Sequence, residues 1–340
     1  MRKVRLSFSP VRDCILVLLS TVVALGVAEI GLRIVRGKDP ITPPTYVGQN
    51  ENRPSRNFEA DTHTGWRMRR SHVFVWRIDD HRNTYRSNRQ GFRSERDFDD
   101  PPNVLIAAVG DSFTWGTGVE YGETFGNLIE RNLGGATVYN FAMPGFGLDQ
   151  MWMSVRHQIL PLRPSLVVVA FIDADFGRSL MAYREVEGFK KPRFILSSGK
   201  LRPQTSGDVP NRLSTMLAAH SQLWSATIRS ISRVRESWPL NAAILEAIAS
   251  DCGQEGVPIL FVRLPERKSK PSESLARLLG SRGLPFIDIP ALHSPLQDIH
   301  FKMDGHINAE GHAFVAEAIT DWIKQSQPRT LRQPGERIVR

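Results

Sequence analysis

Three residue types that together carry acyl-transfer chemistry stand at two points of the chain. The apolar run Val104–Val109 ends in Gly110-Asp111-Ser112, and near the other end an acid and a histidine stand two apart twice, as Asp298/His300 and Asp304/His306. A serine hydroxyl is a weak nucleophile near neutral pH. It needs an imidazole to take its proton and a carboxylate to hold that imidazole in the right tautomer. In an extended loop, residues two apart point the same way, so either pair could enter one cleft. The Asp304/His306 pair is the better placed, because the chain then turns through Asn308 into the final helical pattern. His312, inside that pattern, is expected to be structural. The Gly-Asp-Ser stretch equally suits an ordinary β-to-α turn in which Asp111 or Ser112 caps the next helix.

The elements that must position these residues follow an alternating pattern. A short unbroken apolar run bounded by a turn reads as a strand buried on both faces, as in a parallel sheet. Such runs recur at Ala136–Phe141, Ser165–Ile172, Pro258–Val262 and Pro285–Ile289, separated by helical spacing at Glu123–Leu133, Leu148–Leu160, Leu240–Ala249 and Ala309–Ile323. Strands alternating with helices predict a three-layer α/β sandwich around a central parallel sheet, with ligands at the carboxyl edge of the strands. Ser112 and the Asp304/His306 loop both fall at that edge. An oxyanion needs donors there too, and the loop Asn140–Gly147 after the second strand can present a glycine amide. Glycines needed for turn geometry alone would read the same way.

The 340 residues carry 44 Lys and Arg against 35 Asp and Glu, a net charge of +9, with only two cysteines, Cys14 and Cys252. Neither a disulfide framework nor a cysteine-based zinc site can be built from them, and no third ligand stands out for a Glu/His metal site. Neither a metal nor an organic cofactor is expected. The basic excess suits an anionic surface or polymer, but no basic run interleaved with aromatics forms a nucleic-acid module.

Residues 1–38 read as an N-terminal signal anchor, a single transmembrane helix. Arg2, Lys3, Arg5 and Arg12 precede an apolar stretch from Cys14 to Leu32, which as a helix spans about 28 Å, near the thickness of a bilayer core. The charge bias directs the rest of the chain outward. Cleavage as a signal peptide near Gly26-Val27-Ala28 is the competing reading, and it too exports the remainder. Residues 39–65, rich in proline and charge, read as a tether, and residues 66–102 as an N-terminal hairpin extension. The main domain is expected over 103–326, interrupted by an insertion over 178–238 with a basic loop (Lys190, Lys191, Arg193) and a helical stretch at Leu213–Val234. The basic tail 327–340 is expected to be disordered.

Together these pieces resemble the SGNH (GDSL-type) hydrolase family over residues 103–325. Gly110-Asp111-Ser112-Phe113-Thr114 resembles its first block, which carries the nucleophile. Asn140 to Gly145 resembles the second, whose glycine amide serves the oxyanion hole beside that of the serine. Asp304-Gly305-His306, with Asn308, Gly311 and His312, resembles the last. The resemblance implies Ser112 as nucleophile, His306 as base, Asp304 as its orienter, and the Ser112 and Gly145 amides as oxyanion donors. The hydrophobic N-terminus and the stretch Asn88…Gly91-Phe92-Arg93 are similar to membrane-anchored, exported members. The third block departs: where the family carries an asparagine, this chain reads Phe171-Ile172-Asp173-Ala174-Asp175-Phe176-Gly177-Arg178. Losing one such donor costs about 3 to 4 kcal/mol of transition-state stabilisation. Either the two amides suffice, or Arg178 or Asn140 substitutes, or hydrolysis is weak. Asp173 and Asp175 must be turned away or paired, Asp175 with Arg178. His300 and Asp111 are accessory candidates.

The function this implies is an exported esterase acting on ester-linked acyl groups of a glycan or lipid, or an acyltransferase with the same machinery. The alternative of another class is a non-catalytic SGNH-like module that holds a glycan or lipid in the cell envelope. The insertion is basic rather than uniformly apolar, which disfavours a soluble lipase for long acyl chains.

Overall fold

A computed structural model describes residues 10–35, 54–78, 81–99, 102–180, 189, 191–203, 237–267, 269–292 and 298–326. The basic tail, the stretch Leu213–Val234, Lys190 and most of the expected tether lie outside the described residues. The chain divides into two units. In the first, α1 (Pro10–Val35) is one continuous helix whose described side chains, residues 17–31, are exposed apart from the half-buried Glu29. Among the described residues no helix is long and apolar enough to cross a membrane.

The second unit is built on five parallel strands, β5 (Leu105–Gly110), β6 (Thr137–Asn140), β7 (Leu166–Phe171), β10 (Ile259–Arg263) and β11 (Phe286–Asp288), in the order β11-β10-β7-β5-β6. Side chains alternate across a strand, so each strand feeds two cores. Leu105, Ala107 and Val109 of β5 join Val167 and Val169 of β7 under α5 (Leu148–Ser154), α7 (Ser237–Gln254) and α8 (Glu273–Ser281). Ile106 and Ala108 join Leu166, Val168 and Ile289 of the single-turn α9 (Ile289–Leu292) beneath α4 (Phe125–Leu133) and α10 (Ala309–Ser326). This is the predicted α/β sandwich with a central parallel sheet. Continuous apolar runs were needed because both faces of every central strand are covered. The helix expected over Leu148–Leu160 is less regular than its spacing implied: α5 stops at Ser154, and a π-type turn (Val155–Ile159) and a 3-10 turn (Leu160–Leu162) follow. Pro161 cannot donate to a continuing helix.

Two antiparallel hairpins precede the sheet. β3 (Val73–Ile78) and β4 (His81–Arg86) form the expected one. The other, β1 (Phe58–Asp61) with β2 (Gly65–Met68), follows the single-turn α2 (Pro54–Asn57) and straddles the boundary between the stretch read as a tether and the one read as a hairpin extension. Asp61 Oδ1 accepts from the His63 and Thr64 amides at 3.0 and 2.9 Å, a side-chain-closed turn. Phe58 and Trp66 are buried. α6 (Asp173–Arg178) leads on from β7 to the start of the expected insertion, and within the insertion β8 (Phe194–Ser197) pairs with β9 (Lys200–Pro203). Lys191, read as part of a basic loop, is instead buried and ion-paired to the buried Asp149.

Candidate active site

The carboxyl edge of the sheet gathers the site. β5 ends at Gly110, which pairs with Ala170 of β7. A Cβ at Gly110 would lie 2.1 Å from Thr114 Oγ1 and 2.4 Å from the Ala170 carbonyl, so only glycine lets the strand turn here so close to its neighbours. Asp111 then caps the single-turn helix α3 (Ser112–Trp115), its Oδ1 accepting from the Phe113 amide at 3.0 Å. Ser112 thereby takes the first helical position, where its own amide has no intrahelical acceptor.

His306 Nε2 lies 2.7 Å from Ser112 Oγ. Its Nδ1 is hydrogen-bonded to Asp304 Oδ1, which also accepts from the His306 amide at 2.8 Å. An ionised carboxylate can only accept, so the imidazole carries its proton on Nδ1 and Nε2 is free to accept from the serine. Partial burial alone would raise the Asp304 pKa, but the hydrogen bond and charge of His306 outweigh it and hold the carboxyl below its ordinary value. The loop carrying the pair is folded back on itself: the Phe301 amide donates to the His306 carbonyl (3.0 Å), the Asn308 amide donates to the Ile299 carbonyl (2.9 Å), and Asn308 Oδ1 accepts from the Gly311 amide (2.9 Å).

The other acid–histidine pair is not brought to the serine. His300 is bridged to Ile307, and its Nε2 is hydrogen-bonded to the Pro265 carbonyl at 3.0 Å. Asp298 and His300 line a different cavity, of about 670 Å³. The accessory role considered for His300 is therefore corrected. Asn140 is corrected likewise: it is not among the residues lining the cavity of Ser112, and its Nδ2 donates to the Thr114 carbonyl at 2.9 Å while its Oδ1 accepts from the Ala142 amide at 3.0 Å, which ties the loop after β6 to α3. His312 is fully buried, with Nδ1 accepting from the Phe125 amide at 3.2 Å, as expected of a structural histidine.

Gly145 adopts φ +80° in the loop after β6, a left-handed conformation that favours glycine. It lines a cavity of about 780 Å³ together with Ser112, Asp304, His306, Ala174, Arg178, Glu266, Arg267, Trp76 and Met303. Ala174 is there, and it carries no donor. Asp173 is turned onto Arg263, which donates Nε and Nη2 to its two oxygens at 2.7 and 2.6 Å. Asp175, fully buried, is paired with Arg178. Burial first, then the charge of Asp111, raises Asp175 well above the ordinary carboxyl range, against the opposing pull of Arg178. Burial likewise raises Glu266, with the charge of Asp173 adding to it.

Sequence reasoning missed two supports. Trp66 Nε1 donates to the Pro144 carbonyl at 3.1 Å, fastening the β1–β2 hairpin to the residue before Gly145. Arg93 is completely buried and donates from Nη1 to the Trp115 carbonyl (3.0 Å) and from Nη2 to the Val119 carbonyl (2.7 Å), with Tyr85 stacked beneath it at 4.3 Å. It holds the loop that follows the serine helix. A conspicuous Gly91-Phe92-Arg93 was visible in the sequence, but its acceptors are backbone carbonyls and carry no residue-type signal.

No protein-family model and no curated protein sequence matches the chain. Among solved structures, the chain is similar to a lipase/acylhydrolase from Enterococcus faecalis (14% identity, TM-score 0.40, covering 66% of this chain and 96% of that one). It is similar also to a GDSL-like lipase from Bacteroides thetaiotaomicron (13%, TM-score 0.40, 66% and 89%). A third is a psychrotrophic esterase from Pseudoalteromonas sp. (11%, TM-score 0.41, 66% and 98%). At these identities and scores the similarity carries no argument. The chemistry rests on the geometry above.

Proposed function

We propose that the chain is an exported, membrane-tethered serine hydrolase that removes ester-linked acyl groups from a glycan or lipid. The observation that carries this reading is the contact of His306 Nε2 with Ser112 Oγ at 2.7 Å, made by an imidazole that Asp304 already orients. Ser112 Oγ bonds to the ester carbonyl carbon, the carbonyl π pair moves onto oxygen, and the serine proton passes to His306 Nε2. Asp304 stabilises the imidazolium so formed. As the carbonyl re-forms, the bond to the alcohol breaks and the alcohol leaves with the proton from His306. Water then enters, gives its proton to the same nitrogen and releases the acid by the same two steps. The Ser112 and Gly145 amides are the assigned oxyanion donors. The basic flanks and apolar stretch of residues 2–38 support the tether, and the net charge of +9 supports work at an anionic envelope surface.

A chromogenic short-chain acyl ester and a serine-directed phosphonate test the reading. Wild-type protein is expected to turn over the ester and to gain one phosphonyl group on Ser112. Ser112→Ala should do neither, a loss of about 10⁴-fold or more in kcat. Equal turnover by the variant would remove the assignment. A wild type that takes no label would favour the binding module.

A further inference from the structure

The relay leaves several charged groups of the same cavity without a role, and of these Arg178 is bound to Asp111, the residue before the nucleophile. Arg178 closes α6 and lines the cavity beside Ser112 and Gly145. A single nitrogen is tied down: Nη1 donates to Asp111 Oδ2 at 2.8 Å, to the Phe146 carbonyl at 3.3 Å and to the Asp175 carboxylate. Asp111 immediately precedes the nucleophile and Phe146 immediately follows Gly145. The guanidinium is thus bracketed by the chain neighbours of both assigned oxyanion amides. Asp111 Oδ2 is itself only 3.3 Å from Ser112 Oγ, so one carboxylate oxygen separates the cation from the reacting hydroxyl. Arg178 Nε and Nη2 have no protein partner among the described residues, and neither is sealed from solvent. The side chain keeps 27% of its exposure, whereas Asp111 and Asp175 keep none.

The geometry points to Arg178 as a third oxyanion contact, a catalytic residue donating from Nε or Nη2 to the carbonyl oxygen as that oxygen becomes negative. This rests on Ser112 being the nucleophile. Three features support it. Donors that are already fixed stabilise developing charge without reorganising, and three acceptors hold this guanidinium in place. Burial alone would weaken Arg178 as a base, but the Asp175 and Asp111 charges outweigh it and keep the group cationic. No side chain at position 174 competes for the place. A purely structural counter-ion for the two aspartates is the opposing account.

The test compares Arg178→Ala, Arg178→Lys and the double variant Arg178→Met/Asp175→Asn, which removes the buried cation together with one carboxylate. Each is assayed for kcat and KM on the chromogenic ester, for the rate of phosphonate labelling, and for its thermal midpoint. Arg178→Ala is expected to lower kcat by about 10²- to 10³-fold while moving KM far less, and to slow labelling in parallel. Arg178→Lys keeps the charge without the fork and should fall between Ala and wild type. The double variant should stay slow even where its thermal midpoint is restored. Guanidinium ion at tens of millimolar should speed Arg178→Ala about tenfold and leave wild type unchanged, which a structural role would not produce. The inference is overturned if kcat of Arg178→Ala stays within about threefold of wild type, well short of a lost oxyanion donor. It is overturned equally if the double variant regains the wild-type rate. A wild type that neither turns over ester nor labels at Ser112 would instead overturn the hydrolase reading itself.

Discussion

The loop between residues 298 and 306 offers the same two residue types at the same spacing twice, and the fold uses the two copies differently. Asp304/His306 meets the serine, whereas Asp298/His300 opens on another cavity and fastens the loop to Pro265. The turn between them decides the matter. It bridges residue 300 to residue 307, so that His306 lies opposite Phe301. Residues directly opposite across an antiparallel bridge share a face, and chain neighbours do not. His300 therefore shares its face with Ile307, which is buried in the core under α10, and His306 takes the other. Spacing within each pair is necessary for the acid to reach the imidazole. It does not choose which imidazole meets the nucleophile.

Breaking each pair in turn sharpens that difference. His306→Ala should abolish esterase turnover, by about 10⁴-fold or more in kcat, since the serine loses its base. His300→Ala should leave kcat within about twofold and cost about 1 kcal/mol of stability, the worth of one hydrogen bond. Steady-state kinetics and a thermal melt on both variants check this. The reverse pattern, with His300 essential and His306 dispensable, would mean that the loop refolds in solution to present the other pair.

Asp304→Asn probes the chosen pair more finely. The asparagine preserves size but can turn its NH₂ toward Nδ1, favouring the tautomer whose Nε2 carries the proton and cannot accept from Ser112. A fall of about 10³- to 10⁴-fold in kcat with little change in KM is expected. Asp298→Asn, the matching change in the unused pair, should be silent in the same assay.

How much of this was legible depends on whether the signal was local. The strand β5 and its Gly-Asp-Ser exit were plain because burial on both faces demands an unbroken apolar run. The loop at 298–308 was plain as a source of acid–histidine pairs but not as a choice between them, since the register that turns His300 away is a property of the folded turn. The β1–β2 hairpin was hidden: Phe58 stands alone in a polar stretch, and what secures the hairpin is distant, Trp66 to Pro144 and the Thr64 carbonyl to Gln150 Nε2 at 2.6 Å. Asn140 looked like an oxyanion donor because nothing in its neighbourhood of sequence reveals that its side chain is bound to Thr114 and Ala142, outside the cavity of Ser112. Arg178 was visible as a cation seven residues after β7 with Asp175 as its local partner, but its other partners come from β5's exit and the loop after β6.

The third histidine of the segment supplies the smallest effect on turnover, and its effect is one of stability alone. His312 is six residues beyond His306 and fully buried, with Nδ1 accepting from Phe125 and Nε2 without a partner among the described residues. Burial, aided by the charges of Arg93 and His306, lowers its pKa to about 3. Above about pH 6.5, the ordinary imidazole value, neither the folded nor the unfolded chain protonates it and its contribution is intact. Between there and about pH 3 the unfolded chain binds a proton that the folded chain refuses, so stability falls with falling pH, by up to about 1.4 kcal/mol per pH unit. His312→Gln, which keeps an acceptor for the Phe125 amide but cannot titrate, should flatten the decline in urea midpoint between pH 7 and pH 4 relative to wild type. Its kcat at pH 7.5 should change little, because His312 touches neither the serine nor the Asp304/His306 pair. Parallel pH profiles for the two proteins would show that His312 is protonated within the fold, and its separation from the working histidine would then have to be explained by something other than burial.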